Sequence, residues 1–208
     1  FGCLRENDLF KNTWVIFTAD HGEMLGDHHM SQKNLFFEGS AHVPLLIMPP
    51  QGRSLPQNIS VEAPTDLVDL YPTILAMAGL SSPVSVSGRN LLEPVPMDRI
   101  FFGNSLNRNF CVMEEKVKLV YSAVGDHVLL FDLNTDPMEQ HNLAEDPAWQ
   151  ERKAKLWKLL LEHTAQYTPE ALDEKGQFLT YEAPHFPGDV PGRWFGFHYH
   201  DYSVDTFH

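Results

Sequence analysis

The sequence has 208 residues, of which 43% are hydrophobic and 21% are charged. This balance is typical of a globular chain with a buried core and excludes a disordered, coiled-coil or fibrous protein. Fifteen Lys and Arg against 28 Asp and Glu give a formal net charge of −13, which disfavours nucleic acid as a partner. An anionic ligand would therefore need a local cationic site. No apolar run approaches the ~20 residues of a membrane span.

The beginning of the chain predicts a helix followed by two buried strands. Residues 3–10 have the pattern of the end of an amphipathic helix. The runs 13–18 and 43–48 are nearly all apolar and lack the strict alternation of a half-exposed strand. Such runs are typical of strands buried on both faces, in a sheet covered by helices.

A short helix and a linker follow. Asp69 is placed to cap the helix, Pro72 lies in its first turn and Gly79 is its expected stop. Residues 81–98 are rich in Ser and Pro and predict a linker.

After the linker the pattern changes to that of a small antiparallel sheet with a helix. Short apolar strands separated by turn residues are predicted at 99–102, 110–114, 117–122 and 128–133. A helix is predicted from residue 147 to 166, with one apolar face that we expect to pack on the sheet.

These patterns predict three regions. Residues 1–95 are expected to belong to an α/β domain, residues 96–167 to a small subdomain of antiparallel sheet and helix, and residues 168–208 to an irregular tail rich in aromatics and histidine. The tail is also a candidate contact between copies of the chain. The sequence opens inside a helix-to-strand unit, so we expect a piece of a longer protein. A targeting segment would lie in the missing amino-terminal part, which leaves the location of the otherwise soluble chain unknown.

The loop after the first predicted strand concentrates groups that can bind a metal and an anion. Asp20 offers a carboxylate and His21 an imidazole nitrogen, and both are metal-ligand groups. Gly22 permits a sharp turn beside them, and Lys33 can supply the local cation. An aspartate at a strand end, a single histidine and a surface lysine also occur without any function. Residue chemistry alone therefore leaves a metal site and an ordinary polar loop both open.

Several segments in combination resemble the sulfatase family, within the alkaline-phosphatase-like superfamily that also contains phosphonate monoester hydrolases. The segments are 18–28 with Lys33, 37–45, 66–75, 87–92, 118–121, 130–133 and 136–144. The resemblance implies an α/β fold: the carboxyl-terminal part of an alkaline-phosphatase-like mixed sheet covered by helices, plus the small antiparallel sheet with its packed helix.

The resemblance also implies roles for single residues. Asp20 and His21 correspond to ligands of a divalent metal, and Lys33 to a catalytic lysine that contacts the sulfate group. His28 is a weaker candidate for substrate binding. Calcium is the metal that the family implies, although a histidine ligand also suits Mn²⁺ or Zn²⁺.

One part of the implied active site is absent from the sequence. Sulfatases attack with a formylglycine made from Cys or Ser in the pattern Cys/Ser-x-Pro/Ala-x-Arg, and neither Cys3 nor Cys111 starts such a pattern. The formylglycine and the first acidic metal ligands are thus expected in the missing amino-terminal part of the same protein. The 208 residues alone should be inactive.

The predicted function is hydrolysis of a sulfate monoester by the complete enzyme. Two alternatives stay open. The same residues could serve a phosphonate or phosphate ester hydrolase on the same fold, because the three groups suit either anion. The second alternative is a binding subunit that has the same fold and no catalytic activity.

Overall fold

The computed structural model describes residues 1–30, 32–33, 35–53, 59–82 and 84–182. The chain divides into two compact units. Unit one consists of residues 1–20 and 43–99, and unit two of residues 21–42 and 100–208. The division of the sequence at residues 95 and 167 stays a prediction. The part of the predicted tail beyond residue 182 lies outside the described residues.

Unit one begins with helix α1 (Gly2–Glu6), a 3-10 turn (Leu9–Lys11) and strand β1 (Val15–Thr18). Strand β2 (Leu45–Met48) pairs antiparallel with β1, with each residue of one strand opposite a residue of the other. The positions of the predicted helix and strands are confirmed, with shorter bounds.

The burial expected for the two strands is not present in unit one. Phe17 and Leu46 are cross-strand partners, and each is 58% exposed. Among the described residues of this sheet only β1 and β2 pair, and two strands provide too little surface to bury both faces.

Helix α3 (Leu70–Met77) follows a 3-10 turn and ends at Gly79, whose φ of +72° confirms it as the stop. Asp69 is the N-cap residue of α3, as predicted, but its side chain makes no hydrogen bond to this helix. Asp66 caps the preceding turn by accepting from the amide of Val68, and the buried carboxylate of Asp69 accepts from the amide of Asp66 in return. Asp69 also accepts from residues much later in the sequence, which a local capping pattern does not contain.

Unit two is built on a four-stranded antiparallel meander in the order β3-β4-β5-β6. Its strands are β3 (Phe101–Ser105), β4 (Asn109–Glu114), β5 (Val117–Ser122) and β6 (His127–Asp132). A 3-10 turn (Pro147–Trp149) leads into helix α4 (Gln150–Tyr167), as predicted. The short helix α2 (Glu38–Ala41) belongs to the same unit.

Both faces of this sheet are covered. One face packs on α4 through Leu156 and Leu160, which are 0% and 1% exposed. The other face packs on the segment 21–42. The expected packing of the helix on the sheet is confirmed, and the second covering layer is the loop that carries the candidate site.

In the described part of the chain, every helix is too short or too polar to cross a membrane.

Candidate functional site

The segment 21–42, called the signature loop below, is held on the sheet of unit two by apolar side chains. Met24, Met30, Leu35 and Phe37 are each 5% exposed or less. They pack against one sheet face formed by Cys111, Val120, Leu129 and Phe131. Burial raises the pKa of the Cys111 thiol to about 12, so this cysteine acts as an apolar packing residue. The loop is therefore anchored by packing although most of its sequence is polar.

Backbone hydrogen bonds join the start of the loop to its end. The amide of Gly22 donates to the carbonyl of Ser40 at 2.7 Å, and the amide of Glu23 donates to the carbonyl of Gly39 at 3.0 Å. A side chain at Gly22 would overlap the carbonyl oxygen of Gly39. Glycine is thus required here by the close approach of the two backbones.

His21 and Lys33 meet within the loop. The Lys33 ammonium lies 2.9 Å from His21 Nε2, and His21 Nδ1 lies 2.7 Å from the carbonyl oxygen of Gly22. Because Lys33 has only hydrogens to donate, Nε2 is the accepting nitrogen and Nδ1 carries the hydrogen that Gly22 accepts. The backbone carbonyl on Nδ1 fixes the tautomer and orientation of the ring, as it does for histidines that bind a metal through Nε2. In this structure Nε2 accepts from Lys33.

The backbone of Lys33 is held as well. The hydroxyl of Ser40, which is 2% exposed, donates to the carbonyl of Lys33 at 2.7 Å. The amide of Met24 donates to the carbonyl of Gln32 at 3.0 Å, and the Glu23 carboxylate accepts from the amide of Gln32. The lysine side chain is exposed, whereas its own carbonyl and the peptide groups of the preceding residue are hydrogen-bonded within the loop.

Asp20 directly precedes His21 in sequence and is exposed. Carboxylate and imidazole together suit a divalent cation. Among the described residues no group of three or more His, Cys, Asp or Glu side chains is clustered to hold a metal. Each of the two residue types can supply one ligand, and a full coordination shell needs further donors.

His28 is one of several residues of the loop with a positive φ. Its φ is +52°, and its ring stacks on Phe37 with centroids 4.1 Å apart and an angle of 13° between the planes. The ring therefore helps to pack the loop. Its predicted contact with a substrate stays a prediction.

The sequence analysis missed two residues that support the loop from the sheet. Lys118 on β5 and Glu139 after β6 are each 3% exposed and form an ion pair of 2.9 Å. Lys118 also pairs with Glu38 of the loop at 2.5 Å. The available signal was a single charged residue inside the apolar run 117–121, because such a residue is buried only with partners.

Comparisons with known proteins identify relatives of this chain. Residues 1–80 match the Sulfatase family model. Arylsulfatase K of Xenopus laevis is 34% identical over 162 residues, which cover 68% of this chain and 30% of that protein. An uncharacterized sulfatase of Escherichia coli strain K12 is 32% identical over 165 residues, or 74% of this chain and 32% of that protein. This chain thus spans about a third of the length of these curated relatives.

A solved structure gives the same result for the fold. The phosphonate monoester hydrolase of Silicibacter pomeroyi has a TM-score of 0.66 and 28% identity, covering 83% of this chain and 39% of that one. The family match, the arylsulfatase relatives and this structural likeness assign the chain to the sulfatase family, with its alkaline-phosphatase-like fold.

Proposed function

We propose that this chain supplies part of the active site of a metal-dependent hydrolase of sulfate monoesters. The observation that carries the proposal is the 2.9 Å approach of the Lys33 ammonium to His21 Nε2 on the anchored signature loop. It brings a cation to a nitrogen oriented as a metal ligand, in a chain whose net charge of −13 otherwise repels anions.

Each residue has a role in the proposal. Asp20 and His21 hold a divalent cation, which in this family assists hydrolysis by polarising the ester oxygens. Members of the family generally use a divalent metal and a formylglycine. Lys33 donates to the non-bridging oxygens of the sulfate and stabilises the negative charge that develops on them. Gly22 accepts from His21 Nδ1 and so assigns metal binding to Nε2, from which Lys33 would have to turn away toward the sulfate.

We propose that the remaining metal ligands and the formylglycine lie in a part of the protein outside this chain. The relatives extend well beyond the matched residues, since the chain covers 30% of arylsulfatase K. The exposed cross-strand pair of Phe17 and Leu46 in unit one supports further covering layers, because exposed apolar patches mark surfaces that other structure covers. The 208 residues alone should then show no turnover.

Metal analysis tests the two ligands. In the full-length protein that carries this chain, Asp20→Asn and His21→Ala should each lower the amount of Ca²⁺ or transition metal that survives dialysis. Loss of a residue that only supports a metal ligand typically lowers metal affinity about 10–100-fold, so loss of a ligand itself should lower it at least as much. His141→Ala is the control, because His141 is exposed and lies outside the loop. Undiminished metal in both variants would place the metal site elsewhere.

Hydrolysis of a phosphonate or phosphate ester is the second candidate, favoured by the 28% identity to the phosphonate monoester hydrolase. The same lysine and metal ligands suit either anion. The two candidates are therefore distinguished by which ester the protein hydrolyses faster. We expect the full-length protein to hydrolyse an aryl sulfate with a higher kcat/KM than the matched aryl phosphonate monoester. The reverse order would favour the second candidate, and anion binding without turnover of either ester would favour a non-catalytic binding subunit.

A further inference from the structure

We propose that Lys118, Glu139 and Glu38 form a buried positioning network that sets the signature loop for the site chemistry. The network is made by β5, by the segment after β6 and by the first residue of α2. Its effect on catalysis rests on the proposed function, whereas its effect on the loop does not.

Lys118 uses all three of its hydrogens on the loop and its support. Its ammonium donates to the carbonyl of Phe36 at 2.8 Å, to Glu38 Oε1 at 2.5 Å and to Glu139 Oε1 at 2.9 Å. A lysine has three donors and no acceptor, so this ammonium is fully satisfied. Its position therefore fixes one main-chain atom and two carboxylates together.

Glu139 completes the connection from the other side. While Oε1 accepts from Lys118, Oε2 accepts from the amide of Glu38 at 2.7 Å. One carboxylate thus fixes both the lysine and the start of α2. The two residues that follow in α2, Gly39 and Ser40, provide the carbonyls that hold the beginning of the loop.

The contacts form a continuous path to the site. From Glu38 the path runs to Ser40, whose carbonyl accepts from Gly22 and whose hydroxyl donates to the carbonyl of Lys33. Gly22 in turn orients the ring of His21. A shift of α2 would consequently move both members of the His21–Lys33 pair.

The electrostatics keep the network charged. Burial alone would lower the pKa of the Lys118 ammonium, but the charges of Glu139 and Glu38 and the hydrogen bond to Glu38 raise it above its ordinary value. Burial alone would raise the pKa of Glu38, and Lys118 and His42 more than offset this and lower it. Buried charges that are fully paired gain little net stability over apolar residues, and in some proteins they fix one geometry. This favours positioning over stability as the purpose of the network.

The neighbouring residue on β5 provides a matched control. Leu119 is opposite Val112 and Leu130 in the sheet and packs in the core with α4, on the face away from the loop. Leu119→Ala weakens the same strand through a cavity and removes no contact to the loop. Lys118→Met removes the hydrogen bonds and leaves an apolar chain of similar length.

Amide hydrogen exchange in the full-length protein measures the loop directly. We expect Lys118→Met to speed exchange of the Gly22 and Glu23 amides about tenfold or more, since charge-assisted hydrogen bonds hold their acceptors in place. The double variant Lys118→Met/Glu139→Leu removes both members of the buried pair and leaves Glu38 with His42 as its partner, so it should do the same with less effect on folding. Leu119→Ala should speed exchange of the β4 and β5 amides. The exchange rates of the Gly22 and Glu23 amides should stay close to those of wild type.

The catalytic consequence is read from kcat and KM of the same proteins. We expect the double variant to lower kcat about 10-fold or more at nearly wild-type thermal stability, because small displacements of catalytic groups are costly. Leu119→Ala should lower thermal stability and leave kcat nearly unchanged. Unaltered exchange at Gly22 and Glu23 in both Lys118 variants would overturn the network, whatever the activity. A wild-type protein without hydrolytic turnover would instead count against the proposed function and leave the exchange result valid.

Discussion

The two units of this chain differ in the side chains that are buried inside each of them. In unit two a four-stranded sheet is covered on one face by α4 and on the other by the signature loop, and its buried side chains are mostly apolar. Among the described residues of unit one, the fully buried side chains are those of Asp69 and Thr73, and both are polar. The difference teaches that apolar strands alone do not make a core, because a core needs a second layer to pack on.

The comparison also locates the signature loop. It follows β1 of unit one in sequence, but it packs with the sheet of unit two. The residues that present His21 and Lys33 are therefore stabilised by a sheet that begins about 60 residues later in the chain. Loss of packing on the loop-facing side of the unit-two sheet should then affect His21 and Lys33 more than equal changes in β1 and β2.

The largest expected effect is in the polar centre of unit one. Asp69 accepts from Arg99 at 2.5 Å and from the amides of Arg89 and Asp66 at 2.7 and 2.8 Å. Asp69→Ala leaves the nearly buried Arg99 without this partner and should lower the free energy of unfolding by about 3–5 kcal/mol. Asp8→Ala is the control, because its ion pair with Lys11 is exposed and worth about 1 kcal/mol or less. Urea unfolding measures both, and equal losses would contradict the central role of Asp69.

Acid should weaken the same centre. Burial by itself raises the pKa of Asp69, but hydrogen bonds from Arg99 and from the amides of Arg89 and Asp66 outweigh it and lower the pKa. A lowered pKa in the folded state means that the stabilisation is present above the unfolded value of about 3.9 and is lost as the pH falls through the folded value. Unfolding of wild type and Asp69→Asn should thus converge below about pH 4. A constant difference down to pH 2 would show that the charge of Asp69 is not involved.

The next effect is in the core of unit two. Leu160 is 1% exposed and packs against the helix-facing side of the sheet. Leu160→Ala should lower the free energy of unfolding by about 3 kcal/mol through loss of contacts and a residual cavity. Thermal and urea unfolding of the full-length protein give the value. A change below 1 kcal/mol would mean that α4 does not hold this unit together.

The smallest effect is expected on the exposed strands. Phe17→Ser in the isolated 208-residue chain should change the free energy of unfolding by less than about 1 kcal/mol, because the ring is already 58% exposed. In the full-length protein the same change should be several times more destabilising if further structure covers β1, as proposed. Equal effects in the two proteins would show that this face stays exposed.

Local patterns predicted the elements well. The six strands and α4 follow from runs of apolar residues and turn residues that are close in sequence, and Gly79 ends α3 at a positive φ. The candidate site residues also came from one continuous motif. These features depend on neighbours along the chain, which a sequence shows directly.

The roles of Asp69 and Lys118 depend on partners that are distant in sequence, so the sequence alone did not show them. Asp69 looks like a helix cap until Arg89 and Arg99, 20 and 30 residues later, bring donors to its carboxylate. Lys118 is a single charge in an apolar run, but the sequence does not show that Glu38 and Glu139 are its partners. Hydrogen bonds of this kind form only after the sheet and the loop have come together, so no local spacing encodes them.

The most direct test of the proposed function is the loss of the Lys33 charge. Lys33→Ala in the full-length protein should lower kcat/KM for an aryl sulfate about 10²–10³-fold, because one charge-assisted contact to a developing anion is removed. Lys158→Ala is the matched control in the same unit, since this lysine is 77% exposed and makes only a weak pair with Glu162. The account predicts wild-type kinetics for the control and unchanged thermal unfolding for both. Kinetics of Lys33→Ala within a factor of about two of wild type would contradict it.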